Sequence, residues 1–479
     1  MYQGSLIIMK LFVILTLLLI PVILGRTKED WRNRTIYQLL TDRFHKGNED
    51  KESCKNLSIY CGGTFKGIKE NLHYIKELGF DAIWISPIPK NQGEDYHGYA
   101  FNDMYQINPH FGTSEELKEL VKACHKEDIF VMVDVVANHV AYIHEEYSKV
   151  IPFNSFEHYH SPCEMVDKKI WENQTMRENC RLFGLPDLDQ NNTLVKNELL
   201  KWIKGIIKIY EFDGIRVDTA AHVPVEFWKE YTKAAGVYSI GEVMHGSSEK
   251  VAQYQDGFDG MLNYPLCYGI RDVFASHKPI SEIKRILEET NATYKNMSFT
   301  TNFIDSHDIE RFFNISGKRI DPLKNAITFA LTAEGIPILY YGTEQTYYGG
   351  RDPANRESLW NNMSKTSEMY QYIKKVVHFR KLHELWEKDF ECLHADNYLL
   401  LIRRGDMLFA FTDILLIPPT EVELPESFND MTLCNYFNYE DYITPKSNKV
   451  EIELPEGLPK LYVPCIPKKE ESKEQMVFD

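Results

Sequence analysis

Several common signatures are missing from this chain, and each absence closes a class of function. No Gly-x-Gly-x-x-Gly fingerprint follows the first strand-like run, which weakens any dinucleotide reading. No Cys-x-x-Cys occurs, so a structural zinc site is a poor reading. Positive charge is scarce: 54 Lys and Arg stand against 70 Asp and Glu, a net charge of -16. That balance argues against nucleic acid or an anionic membrane as partner and leaves neutral or cationic ligands open. After the N-terminus no run approaches membrane length, there is no internal repeat, and the closing "MVFD" carries no retention or lipidation signal.

What is present begins with a secretory pattern. Met9 and Lys10 precede an apolar stretch over residues 11–24, closed by Gly25. This is short for a bilayer span and is read as a cleavable signal over residues 1–25. Eight Asn-x-Ser/Thr sequons, at Asn33, Asn56, Asn173, Asn191, Asn291, Asn296, Asn314 and Asn362, agree with export and glycosylation. Nine cysteines leave at least one unpaired. Close spacing suggests the disulfides Cys54–Cys61, Cys163–Cys180 and Cys434–Cys465 in an oxidising compartment. Cys124, Cys267 and Cys392 are left open.

Apolar content of 43% suffices for a large core over 479 residues. Strand-like runs ("TIYQLL", "DAIWISP", "FVMVDVVANH", "GIRVD", "YSIGEV", "DGMLN", "FTTNFIDSHD", "IPILYYGTE") alternate with amphipathic helical runs. Eight β-then-α units predict an α/β protein, a (β/α)8 barrel over residues 26–139 and 188–388. The long irregular stretch 140–187 is read as an inserted subdomain. Alternating stretches over 389–466 predict a C-terminal antiparallel β-sandwich, and 467–479 a solvated, disordered tail.

In such a barrel the active site lies where strands end. The third run ends on Asp134, Asn138 and His139; the fourth holds Arg216 and Asp218; the fifth ends on Glu242; the seventh on His307 and Asp308. The loop after the second holds Tyr96, His97 and Tyr99. A lone strand-end aspartate is commonly a satisfied structural group. Three carboxylates from three strands converging on one rim are not. Crowded like charges raise one pKa, which separates an acid from a nucleophile and suits glycoside hydrolysis.

The stretches "YQLLTDRF", "YCGGTFKGI", "YHGY", "DVVANH", "LPDLD", "VKNEL", "GIRVDT", "GEV", "SHD" and "YYGGRDPANRESLW" resemble the α-amylases of glycoside hydrolase family 13, most closely the secreted fungal type. The resemblance implies Asp218 as nucleophile, Glu242 as general acid and base, and Asp308 as transition-state stabiliser. It implies that His139 and His307 bind the sugar, that Tyr99 stacks on it, that Arg216 keeps Asp218 ionised, and that Asp352 and Arg356 line the donor side. It further implies a structural Ca2+ held by Asn138, Asp187 and the carbonyls of Glu178 and His222. Ser306 stands where chloride-binding relatives carry asparagine, so chloride activation is not expected.

Two positions depart from the fungal pattern: Ala221 replaces a basic residue and Ala100 a tryptophan. Weaker binding of long starch chains, or a preference for another α-glucan, is expected from both. The expected function is secreted endo-hydrolysis of α-1,4-glucans by a monomer without stable membrane association after signal cleavage. An α-glucosidase or α-glucan transglycosylase of the same family remains a rival, as does a non-catalytic, membrane-anchored barrel. The complete Asp218, Glu242 and Asp308 set argues against the last.

Overall fold

Period-two alternation decides which residues of each run face the barrel axis. In the computed structural model, which describes residues 26–47, 52–165 and 170–466, all eight runs form strands of one parallel sheet. They are β1 (Ile36–Gln38), β2 (Ala82–Ile85), β3 (Phe130–Val135), β4 (Gly214–Val217), β5 (Tyr238–Gly241), β6 (Gly260–Met261), β7 (Thr301–Asn302) and β8 (Ile336–Tyr340). The order β6-β5-β4-β3-β2-β1-β8-β7 curls the sheet round. One parallel bridge, Leu262 to Thr301, brings β6 back to β7. The expected (β/α)8 barrel is therefore the observed fold. The proposed signal over 1–25 and the tail over 467–479 lie outside the described residues.

Within β3 the alternation is plain. Phe130 and Met132 pack on the axis with Ala82, Trp84, Ile240 and Ile338, while Val131 and Val133 pack outward beneath the helices. The helix Ser114–Lys126 shows why that outer layer forms. Thr113 Oγ1 accepts the Glu116 N–H at 3.1 Å and the Glu116 carboxylate accepts the Thr113 N–H at 2.8 Å, closing a capping box. Leu117, Leu120, Val121 and Cys124 then form its buried stripe.

Between β2 and the helix Ser114–Lys126 the chain forms a hairpin, Pro89–Asn91 against Phe101–Ile107, which the sequence reading left as loop. The segment 140–187 holds short turns, the helix Gln174–Asn179 and the disulfide Cys163–Cys180.

The C-terminal part is antiparallel, as expected. Six strands form one sheet: β9 (Phe390–Ala395), β10 (Leu399–Arg404), β11 (Met407–Thr412), β13 (Leu433–Asn435), β14 (Asn438–Ile443) and β16 (Lys460–Pro464). A second pairs β12 (Ile417–Glu423) with β15 (Lys449–Leu454). Alternation again sorts the faces. Leu399, Leu401 and Leu408 pack on Ile417, Val422 and Ile452 of the small sheet. Leu400, Ile402, Phe409 and Phe411 face the barrel, where Phe409 meets Phe379 edge-on at 5.5 Å. Among the described residues no helix is long and apolar enough to cross a membrane.

Candidate active site at the mouth of the barrel

The strand register brings the charges together. β3 and β4 pair Asp134 with Arg216, and both side chains point inward. The fully buried Arg216 Nη1 donates to both Asp134 oxygens at 3.0 Å and to Asp218 Oδ1 at 2.8 Å. Its Nη2 lies 2.8 Å from Glu242 Oε1 and 3.9 Å from Asp308 Oδ2. One guanidinium therefore touches four carboxylates. The expected pairing with Asp218 is present. Asp134, placed at a strand end but given no role by the sequence reading, is the partner held at both oxygens. Trp84 Nε1 and the Tyr99 hydroxyl donate to it as well, at 3.1 and 2.8 Å. The usable signal was its parity with Arg216 on a neighbouring strand.

Glu242 sits in a tighter place. Gly241 precedes it, where any Cβ would meet the Phe258 ring at 2.6 Å, so the strand can pass only as glycine. Thr219, just past Asp218, takes the left-handed conformation at φ 51°, strained for a β-branched residue. That turn ends the strand and aims the Thr219 N–H at Glu242 Oε2, 2.9 Å away. The Tyr264 hydroxyl reaches Oε1 at 3.3 Å. Burial chiefly pushes the Glu242 carboxyl up, to about 8; Asp218 and Asp308 add to this, while Arg216 and the Thr219 N–H oppose it.

Around His307 the groups form a chain of hydrogen bonds. Gln38 Nε2 donates to His307 Nδ1 at 2.8 Å, so the ring proton sits on Nε2, 2.7 Å from the Tyr99 hydroxyl. Burial and the neighbouring arginines hold His307 neutral. Tyr99 lies parallel to His307, with centroids 5.3 Å apart, and stays partly exposed. Gly98 has φ +96°, and a Cβ there would meet Pro87 at 2.6 Å, so the turn presenting Tyr99 requires glycine. Arg356 donates to the His307 carbonyl at 3.1 Å and lies 3.8 Å from Asp308 and 3.1 Å from the exposed Asp352. Asn355, missed in the sequence, ties down the same loop through the His307 and Ile309 carbonyls at 2.9 and 2.8 Å.

A second convergence joins β3 to the insertion. His139 Nε2 donates to the Tyr99 carbonyl at 3.1 Å, leaving Nδ1 bare; Asn138 Nδ2 serves it at 3.2 Å. In this orientation Asn138 Oδ1 lies 3.2 Å from Asp187 Oδ1 and 3.0 Å from the His222 carbonyl; turning the amide round places Nδ2 there as donor to both and sets Oδ1 on His139 Nδ1. With Asn138 Oδ1 turned to that side, these three oxygens suit a hard cation. His160, which the sequence reading did not single out, braces Asp187 at 2.7 Å. Glu178 ends the helix Gln174–Asn179, with its carboxylate on Gln174. Its neighbour Arg177 supplies the carbonyl bonded to the His222 ring, at 3.1 Å.

The three anticipated disulfides are formed; Cys124 and Cys267 are buried thiols and Cys392 is half-buried. Ala100 is buried at the root of the hairpin, its N–H on Asn91. Ala221 is buried beneath the insertion.

Paired, crowded carboxylates at the mouth of a parallel barrel suit a glycoside hydrolase. The family described as alpha amylase, catalytic domain, matches residues 38–389. An α-amylase of Saccharomycopsis fibuligera is 31% identical over 91% of this chain and 92% of its own. Alpha-amylase 2 of Schizosaccharomyces pombe is 38% identical over 78% of this chain and 67% of its own. The solved α-amylase of Malbranchea cinnamomea superposes with a TM-score of 0.86 at 32% identity, covering 91% of this chain and 97% of that one. The chain belongs to the α-amylase family of glycoside hydrolases.

Proposed function

We propose that the protein is a secreted α-amylase, cleaving internal α-1,4-glucosidic bonds of starch, glycogen and maltooligosaccharides with retention. The observation that carries this reading is the single guanidinium shared by Asp218 and Glu242. Asp218, held by Arg216, is the nucleophile and attacks the anomeric carbon. Glu242, pushed up to about 8, keeps the proton that the leaving oxygen needs. After departure its carboxylate activates water, which releases the sugar from Asp218. Asp308, between His307 and Arg356, steadies the oxocarbenium-like transition state and the sugar hydroxyls. His139 and His307 bind the same sugar, Tyr99 stacks on it, and Asp352 with Arg356 lines the donor side. Retention calls for Asp218 and Glu242 carboxyls about 5–5.5 Å apart.

A structural calcium ion would be held by Asn138, Asp187 and the His222 carbonyl, with the Glu178 carbonyl as a fourth ligand. It would neutralise oxygens that otherwise repel and fasten the insertion to the end of β3. The apolar leader, the sequons and the three disulfides support secretion.

The test is reducing-end release from soluble starch. Glu242→Gln should lower it on the order of 10³-fold, the range expected for a lost general acid. Glucose as the main early product would favour an α-glucosidase, and elongated glucans a transglycosylase. An inert wild type would sink the assignment.

A further inference from the structure

Arg177 is a buried arginine with no carboxylate against its guanidinium among the contacts described. Only 3% of it is exposed. Nε donates to the Ala221 carbonyl at 3.1 Å and is shared with the Tyr254 hydroxyl at 3.3 Å. Nη2 donates to the same hydroxyl at 3.1 Å, and Nη1 to the Ile170 carbonyl at 3.2 Å. Tyr254 passes its own proton to the Ala221 carbonyl at 2.9 Å. A buried charge served by neutral acceptors is costly, and its retention needs a reason.

Geometry supplies one. The guanidinium carbon lies 4.9 Å from the Trp171 ring centroid, and that ring meets His245 at 4.5 Å, three residues beyond Glu242. One side chain thus ties the turn Ile170–Glu172 of the insertion to the loop after β4 and to Tyr254, beyond β5. Position 221, where a basic residue was expected, offers only a carbonyl. The cation comes instead from the insertion, with Nε, Nη1 and Nη2 each engaged by a carbonyl or by the Tyr254 hydroxyl.

We infer that Arg177 is a positioning residue for the leaving-group side of the cleft: it fixes Trp171 against His245 beside the loop that carries the acid. This rests on the α-amylase reading. Its role is to orient the outgoing part of a long glucan, not to act on the bond.

The test compares maltoheptaose with a chromogenic aryl maltotrioside, whose small leaving group does not extend along that side. Arg177→Met should lower kcat/KM on maltoheptaose about tenfold, mainly through KM, and shift the bond cleaved, as misplacement remote from the chemistry does. Aryl maltotrioside hydrolysis should stay within about twofold, because remote binding is not used there. Arg177→Lys, a point charge without the fork, should fall between. Equal losses on both substrates, or none on either, overturn the inference while the wild type remains active. A wild type inert on both refutes the α-amylase reading and this inference with it. Tyr254→Phe, which removes the shared hydroxyl and keeps the fold if Arg177→Met does not, should move the same ratio in the same direction; an unchanged ratio counts against Arg177.

Discussion

Arg216 and Arg177 are both buried arginines beside the cleft, and they use their charge in opposite ways. Arg216 faces Asp134, Asp218, Glu242 and Asp308. Arg177 faces two carbonyls, a phenol and an indole ring. The first bears on protonation states, because its charge opposes the burial that pushes the Asp134 and Glu242 carboxyls up. The second sets shape, because neutral acceptors respond to geometry and leave no titration behind. A charge seen alone in a sequence does not declare which use it serves.

The comparison breaks hardest at Asp134. Asp134→Asn takes from Arg216 the partner held through both oxygens, and should cost about 3 kcal/mol, the lower end for breaking a buried pair, since Asp218 and Glu242 remain. The same change lets Arg216 lean on Glu242 and should lower that carboxyl's pKa. Thermal unfolding of the variant checks the first; a melting temperature equal to the wild type would show that Asp134 is dispensable.

Next comes the oxygen cluster. Removing calcium with a chelator should cost about 3 kcal/mol of stability under conditions that had kept it near 100 times its Kd. Asp187→Asn should abolish the difference between chelated and calcium-saturated protein. A melting curve indifferent to calcium in the wild type would remove the ion from the account.

Smaller again is Ala221→Lys, which restores the expected cation beside one already present. Ala221 is only 2% exposed, so the longer side chain overpacks and should destabilise by about 1–3 kcal/mol. It should improve starch relative to short maltooligosaccharides; an unchanged preference would count against a role for position 221 in binding long chains.

The smallest effect is on pH. Glu242 must be protonated to donate, and its carboxyl is pushed up to about 8. Activity should therefore fall as pH rises through that region. Asp308→Asn removes one negative charge that raises it, so the alkaline limb of residual kcat/KM should move to lower pH, by less than about one unit. Movement upward would show that the limb belongs to another group.

The barrel was legible in the sequence because alternation carries over from strand to strand: the parity that buries Ile215 and Val217 outward puts Arg216 and Asp218 inward. Asp218 and Glu242 were readable for that reason, each one step past its strand, whereas Asp308 lies six residues beyond β7 and was readable from its motif alone. Asp134 was readable only with the register, which needs two strands at once. Arg177, His160 and Asn355 were not readable, because each lies on a short helix or in a loop and its partners are backbone carbonyls or side chains far away in sequence, which leave no local pattern. The hairpin around "DYHGY" was missed because Pro89–Asn91 is short and its register shifts twice.

The closure between β6 and β7 carries a consequence for how the protein breathes. β3 and β4 share four paired residues, whereas β6 and β7, two residues each, meet at a single bridge. Amide deuteration should thus proceed fastest along that seam, at Asn263, whose N–H reaches the Thr301 carbonyl at 3.0 Å, and slowest in β3 and β4. Because Asp308 follows β7, transient opening of the seam unseats it while Asp218 and Glu242 stay on intact strands. Warming should then slow turnover before any loss of global structure.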